Sequence, residues 1–287
     1  MPKVPTIGFV GLGNMGSALA ANLVASGHDV VTHDVQGDGR SPDGASFAVD
    51  VPDVARRAEV IVCCLPDATA SDAVIRAVAA TDGRRTGHLV ETSTIGVDAA
   101  RANDSVLTAA GVAYVDAAVS GGVAGAKART LSVMYAGPQP ACDVVQPVLA
   151  GLSDRRRRVG DRPGLAQALK LANNFLSAMA LAATSEAVAF GTSVGLDMET
   201  MIDVLNTSSG QSQATTDKFA NHVLTGRYAA GFTNSLMCKD LQLYLAAAET
   251  EGSPTLLGEV AALVWERFSE ADPGVDFTRI YPFIRGD

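Results

Sequence analysis

The run Ile7-Gly8-Phe9-Val10-Gly11-Leu12-Gly13-Asn14-Met15-Gly16 leaves this chain few ways to fold. A short apolar segment leads into glycines spaced G-x-G-x-x-G. The glycines then open a stretch whose apolar residues (Ala18, Leu19, Ala21, Leu23, Val24) recur with helical spacing. The pattern predicts a strand, a tight turn and a helix N-terminus, whose free N–H groups and positive dipole end suit a pyrophosphate. Glycine turns are common, so the context carries the reading. A second strand, Asp29 to His33, ends in Asp34, 18 residues after Gly16. An acid there accepts hydrogen bonds from an adenosine ribose. It also repels a 2′-phosphate. Gly11, Leu12, Gly13, Asn14, Met15, Gly16 and Asp34 are therefore the expected dinucleotide contacts, with NAD favoured over NADP.

Up to residue 162 the chain alternates strand-like and helix-like segments. Apolar runs at Thr6–Val10, Asp29–His33, Val60–Leu65, His88–Glu91, Ala113–Val115 and Ser132–Ala136 are separated by helical stretches such as Met15–Ser26, Ser71–Ala80 and Gly96–Ala110. This is the rhythm of a doubly wound α/β sheet. From residue 163 to 287 the pattern is helical throughout. We therefore expect a Rossmann-type domain over 1–162 and an all-α domain over 163–287. Leu165 to Gly195 reads as one long helix with apolar residues on nearly every side, among them Leu171, Phe175, Met179, Val188 and Phe190. Such a helix is buried, and in a chain of 287 residues burying it calls for a second subunit. The Arg155–Arg158 run at the junction reads as a solvated turn.

A net charge of −9 argues against a nucleic-acid surface, which needs a basic stripe. An anionic substrate must then be held by local cations or amide donors. No apolar run is expected to reach the roughly 20 residues of a membrane helix, and the first strand starts too early for a signal peptide. Cys63, Cys64, Cys142 and Cys238 form no C-x-x-C pair; we read them as reduced thiols of a cytoplasmic protein. The four histidines are scattered, so no metal site is expected.

Lysine is scarce: five residues against 17 arginines. A lysine within an apolar helix, Lys170 in Leu169-Lys170-Leu171-Ala172-Asn173-Asn174, therefore calls for a reason. Unlike arginine, a desolvated lysine can titrate near neutrality. Asn174 lies one turn further along the same face, so an amine and an amide converge where a substrate hydroxyl could exchange its proton. Read alone, Lys170 fits a snorkelling lysine at a helix end somewhat better. Ser120-Gly121-Gly122 offers a hydroxyl and approachable backbone N–H groups suited to a carboxylate; alone it could be a plain loop. Lys239-Asp240, near the start of a later helix, reads as a solvated pair.

Taken together and in order, Gly8–Gly16, Asp116–Gly122, Lys170–Asn174 and Lys239-Asp240-Leu241 resemble the signatures of the β-hydroxyacid dehydrogenase family. The resemblance implies a Rossmann-type domain, an all-helical domain and an active site between them. It implies Lys170 as general acid/base with Asn174 as partner, and Ser120, Gly121 and Gly122 as anchors of a small carboxylate substrate. It places Lys239 near nicotinamide and substrate, and Leu65, Pro66 and Thr94 along the cofactor. It also implies a homodimer or homotetramer. Three positions depart from the family pattern: Ala118 for a proline, Ala166 for a glycine, and Arg129 for the glycine of a Gly-Thr-Leu. If Arg129 faced the cleft it would favour a second anionic group on the substrate; otherwise it faces outward. An imine reductase, a 6-phosphogluconate enzyme and a catalytically inactive binding module share the architecture. The presence of Lys170, the pair Asn173-Asn174 and the lack of a basic tail speak against them in turn.

Overall fold

The computed structural model describes residues 5–286. The chain divides into two compact units, the first running to Lys170 and the second starting at Leu171. The first unit is an α/β layer structure. Its elements in order are β1 (Ile7–Val10), α1 (Asn14–Ala25), β2 (Val30–His33), β3 (Ser46–Phe47), α2 (Val51–Arg57), β4 (Val60–Cys63), α3 (Ala68–Ala80), β5 (His88–Glu91) and α4 (Val97–Ala109). There follow β6 (Ala113–Asp116), β7 (Val119–Ser120), α5 (Gly122–Lys127), β8 (Ser132–Ala136), α6 (Gln139–Leu152) and β9 (Arg155–Gly160).

The sheet runs β3-β2-β1-β4-β5-β6-β8-β7, with β9 also paired to β8. From β3 to β6 every pairing is parallel. β1 and β4 are buried at every residue, as strands covered by helices on both faces must be. One face packs on α1 and α6 through Leu19, Leu23, Val145 and Leu149. The other packs on α2, α3 and α4 through Val54, Ile75 and Leu107. β1 has β2 on one side and β4 on the other, so the chain reverses direction across the sheet at β1. In such sheets the crevice beyond the strand ends at this reversal is where ligands bind, and the glycine turn follows β1 directly.

The arginine run is a strand rather than a turn. Arg155 to Gly160 pairs in parallel with β8, Arg158 donates to the Gly137 carbonyl at 2.9 Å, and Arg156 donates to the Ser153 carbonyl. Four consecutive arginines show no apolar alternation, so nothing local announces a strand; charged residues do occur on sheet margins, where they block further pairing.

α7 (Leu165–Ser193) begins in the first unit and continues into the second. Its first turn is held by strand ends of the first unit. The second unit contains the rest of α7, α8 (Met198–Leu205), a π-helical segment (Ala214–Val223), α9 (Asn234–Thr250), α10 (Leu256–Ala271) and α11 (Ile280–Arg285). Its core gathers Leu181, Phe219, Leu241, Trp265 and Phe268, and the Trp265 indole N–H donates to the Ala178 carbonyl of α7 at 3.3 Å.

Contrary to expectation, α7 is long and apolar enough to cross a membrane by length and composition, and 28% of its most apolar stretch is buried within the chain. The reason is its Ala/Leu composition with only Lys170 and Glu186 charged. It nevertheless carries Gln167, Lys170 and Asn174 as buried polar residues.

Candidate active site

The glycine turn is built by close backbone packing. Gly11 has φ +97°, and a Cβ there would lie 2.3 Å from the Cys64 carbonyl oxygen; one on Gly16 would lie 2.0 Å from the Gly11 carbonyl oxygen. These two glycines let α1 start directly against β1. Gly13 serves neither purpose: it is the N-cap of α1, no side chain caps it, and a Cβ there would meet nothing within 4 Å. The start of α1 therefore lies open at Gly13, uncrowded by side chains. That is the fit a dinucleotide requires, and the site's own glycines provide it.

Asp34 closes the same region. One carboxylate oxygen accepts from the Leu12 N–H at 2.6 Å and the other from the Gln36 N–H at 2.7 Å. The side chain thus ties the end of β2 to the glycine turn, and a carboxylate retains acceptor capacity beyond two such bonds. Asp34, Gln36, Gly37, Gly39 and Arg40 line a pocket of about 250 Å³. Arg40 also reaches Asn14 at the start of α1, donating to its side-chain oxygen at 3.3 Å. Sequence reasoning missed Arg40; a cation in a glycine-rich loop carries no periodic signal.

Glu91 and Asp116, register partners at the ends of β5 and β6, are both fully buried. Glu91 accepts from the Ser71 hydroxyl at 2.5 Å, the Ser93 hydroxyl at 2.5 Å and the Ser93 N–H at 3.0 Å. Burial pushes its carboxyl above the usual range, and these bonds oppose the shift. The Ser93 hydroxyl in turn accepts from the Leu65 N–H at 2.6 Å. One buried carboxylate thereby fixes the turn bearing Leu65 and exposed Pro66 and, through Ser93, the segment bearing half-buried Thr94. Asp116 accepts from the N–H groups of Gly164 and Gln167, both at 3.0 Å, at the start of α7. Burial raises its pKa to about 6, and its hydrogen bonds with Gln167 and Gly164 pull the other way.

Ser120 ends β7, and Gly121 (φ +132°) and Gly122 (φ +68°) lead into α5. Both glycines hold backbone conformations that L side chains rarely adopt. Lys170 is 8% exposed and Asn174 is 5% exposed, one turn apart on α7. In the second unit the Asn174 side-chain N–H donates to Asp240 at 2.5 Å, and the Asn173 side chain donates to the Asn174 oxygen at 3.0 Å. Lys239 lies 3.4 Å from the other Asp240 oxygen. Asp240 is therefore a buried hub and not a member of a solvated pair. It joins two residues that the sequence singled out separately, Asn174 and Lys239.

Ser212 and Gln213, in the loop preceding the π-helical segment, line a second-unit pocket of about 340 Å³ with Asn173, Ser177 and Lys218. Arg129 takes the outward alternative. It donates to the Ser26 hydroxyl at 2.7 Å and to the Ala150 carbonyl at 2.9 Å, bracing the ends of α1 and α6.

Residues 6–160 match the model for the NAD binding domain of 6-phosphogluconate dehydrogenase. Residues 164–284 match the model for the NAD-binding region of NADP-dependent 3-hydroxyisobutyrate dehydrogenase. Fold and glycine turn together define an NAD(P)-linked oxidoreductase. The chain belongs to the β-hydroxyacid dehydrogenase family, whose members act on hydroxy acids. It is 34% identical to 3-hydroxyisobutyrate dehydrogenase of Pseudomonas aeruginosa, covering 98% of both chains. It is 31% identical to the mitochondrial enzyme of that name from Drosophila melanogaster, covering 97% of this chain and 89% of that one. Among solved structures, 3-hydroxyisobutyrate dehydrogenase of Mycobacterium tuberculosis with L-serine superposes with a TM-score of 0.91 at 29% identity, covering 99% of this chain and 100% of that one. An imine reductase of Streptomyces aurantiacus, at 20% identity and TM-score 0.65 over 97% and 99% of the chains, shares the fold.

Proposed function

We propose that the protein transfers a hydride reversibly between NAD and a small 3-hydroxy acid of the 3-hydroxyisobutyrate or tartronate semialdehyde type. The observation that carries this reading is Lys170, a nearly buried amine on α7 one turn from Asn174, in a chain of this family. When bound, the nicotinamide ring supplies the hydride acceptor. Lys170 Nζ takes the substrate's hydroxyl proton during oxidation and returns it during reduction, a role worth about 10²–10⁴ in rate. Asn174, held by Asp240, presents an amide of fixed orientation beside it. Ser120 and the amides of Gly121 and Gly122 hold the carboxylate and so aim the carbinol hydrogen. Positioning of this kind contributes about 7–11 kcal/mol of the barrier. Asp34, an acid at the end of β2 beside the glycine turn, supports NAD over NADP, since a carboxylate there accepts from ribose hydroxyls and repels a 2′-phosphate.

Leu176, Phe190 and Val194 of α7 and the turn after it are 64%, 70% and 65% exposed. We propose that a second copy of the chain covers them, giving a homodimer or homotetramer. Light scattering on a sizing column tests this; a monomer at micromolar concentration would end it. The four free thiols support a reducing compartment, which we take to be the cytoplasm.

The reaction is tested by a cofactor-reduction screen with NAD and NADP against 3-hydroxyisobutyrate, glycerate, 3-hydroxypropionate, 4-hydroxybutyrate, threonate and sulfonated analogues. A cyclic imine with reduced cofactor serves as the contrasting arm. Turnover of a 3-hydroxy acid with NAD is expected. Activity on the imine alone would transfer the protein to the other chemistry.

A further inference from the structure

Gln167 is fully buried, and its side-chain amide is saturated. The oxygen accepts from the N–H groups of Ile95 at 3.0 Å and Gly96 at 3.2 Å. The nitrogen donates to the Ser93 carbonyl at 3.0 Å and to the Asp116 carboxylate at 2.8 Å. The Gln167 backbone N–H adds a bond to the other Asp116 oxygen at 3.0 Å. Few single residues join so many otherwise separate segments: the first turn of α7, the end of β6, and the Ser93–Gly96 loop after β5. Ser93 also holds the Leu65 N–H and is held by Glu91, so the same buried network fixes Leu65, Thr94 and the helix.

Lys170 follows Gln167 by three residues, about 4.5 Å along the helix axis. Within one turn an α-helix is effectively rigid, so whatever fixes Gln167 fixes the Lys170 backbone. Asp116 adds a carboxylate at the positive end of α7, supplying from a distant strand the cap that the helix's own sequence lacks. A buried amide with every donor and acceptor engaged has one stable placement, because moving it leaves several buried groups unpaired.

We propose that Gln167 is a positioning residue for Lys170. Its clamp onto Ser93, Ile95, Gly96 and Asp116 registers the Lys170 amine against the loop carrying Thr94, where the cofactor is expected to lie. The proposal rests on the reading of Lys170 as the general acid/base. It goes beyond that reading by assigning its placement to a residue that touches neither substrate nor reacting atoms. A displacement of about 1 Å at such a group can cost up to about 100-fold in rate.

The test is a mutant cycle of Gln167→Ala, Lys170→Ala and the double variant, with Gln167→Glu as the shape-preserving partner should Gln167→Ala fail to fold. Each is assayed by NAD reduction with the fastest acid of the screen above, per mole of protein shown folded by circular dichroism. Gln167→Ala is expected to lose about 10- to 100-fold in kcat, with a smaller change in KM. In the Lys170→Ala background the same change is expected to cost no further activity, because two residues acting through one step are not additive. The carboxylate introduced by Gln167→Glu can still accept from Ile95 and Gly96, but it donates nothing while ionised, and once protonated its single O–H restores one of the two bonds to Ser93 and Asp116. The kcat of Gln167→Glu is therefore expected to recover as pH falls, relative to wild type. Wild-type kcat in the Gln167 variants, or multiplicative losses in the double variant, would overturn the positioning role alone. Near-normal kcat in Lys170→Ala would overturn the lysine's role and this proposal with it.

Discussion

Asn174 and Asp240, on two different helices of the second unit, are joined by a 2.5 Å hydrogen bond between buried side chains. Asp240 also faces Lys239 at 3.4 Å. Removing the carboxylate leaves the Asn174 amide without its acceptor and Lys239 without its anion. An unsatisfied buried donor costs about 1–3 kcal/mol.

Asp240→Ala is therefore expected to lower the melting temperature and cut kcat together. Asp240→Asn retains an oxygen for the Asn174 N–H while removing the charge next to Lys239. Its melting temperature should return most of the way to wild type while kcat stays depressed. Melting curves and initial rates on the two variants check this; equal stability and equal activity in both would show that the hub has no influence on the site.

Arg40 bears on cofactor choice. It lines the same pocket as Asp34 and reaches Asn14 at the start of α1. Residual use of NADP would depend on this cation, while NAD would not. Arg40→Ala is expected to raise the ratio of kcat/KM for NAD over NADP several-fold, chiefly by loss of the NADP term. Asp34→Ala should lower the same ratio while also loosening the glycine turn, since the Leu12 N–H loses its partner. Rates with the two cofactors decide; an unchanged ratio in both variants would remove this pocket from cofactor selection.

Asp116 makes the start of α7 sensitive to pH. Its carboxyl titrates at about 6 in the folded protein, against an ordinary value of 3.8. Between those values the folded state keeps a proton that the unfolded chain has lost, so stability from this group falls as pH rises from about 4 to about 6. It then stays level at higher pH. The stability difference between wild type and Asp116→Asn should shift against wild type across that window and flatten above it. Denaturation midpoints of both proteins from about pH 4 to about pH 8 measure this; parallel curves would show that the buried carboxyl titrates at its ordinary value.

What the sequence revealed follows from what is local in it. The glycine turn, Asp34 and the strand rhythm were legible because their determinants lie within a few residues and repeat with the period of the element. That Lys170 and Asn174 share one face of a helix is legible for the same reason, since they are four apart in the sequence. The burial of Asp240 is not legible, because its partner, Asn174, is 66 residues away, and a Lys-Asp pair looks the same whether solvated or buried. Gln167 carries no signal for the same reason: its partners at 93, 95, 96 and 116 are brought together only by the sheet. The Arg155–Gly160 strand is defined by its pairing with β8 and not by any pattern of its own.

The measurement that bears most directly on the account is the turnover of Lys170→Ala under saturating NAD and hydroxy acid, alongside its binding of NADH by fluorescence. The account predicts a fall in kcat of about 10²–10⁴ with NADH binding unchanged, because the glycine turn and Asp34 lie outside the altered side chain. Near-normal turnover with intact NADH binding would contradict it.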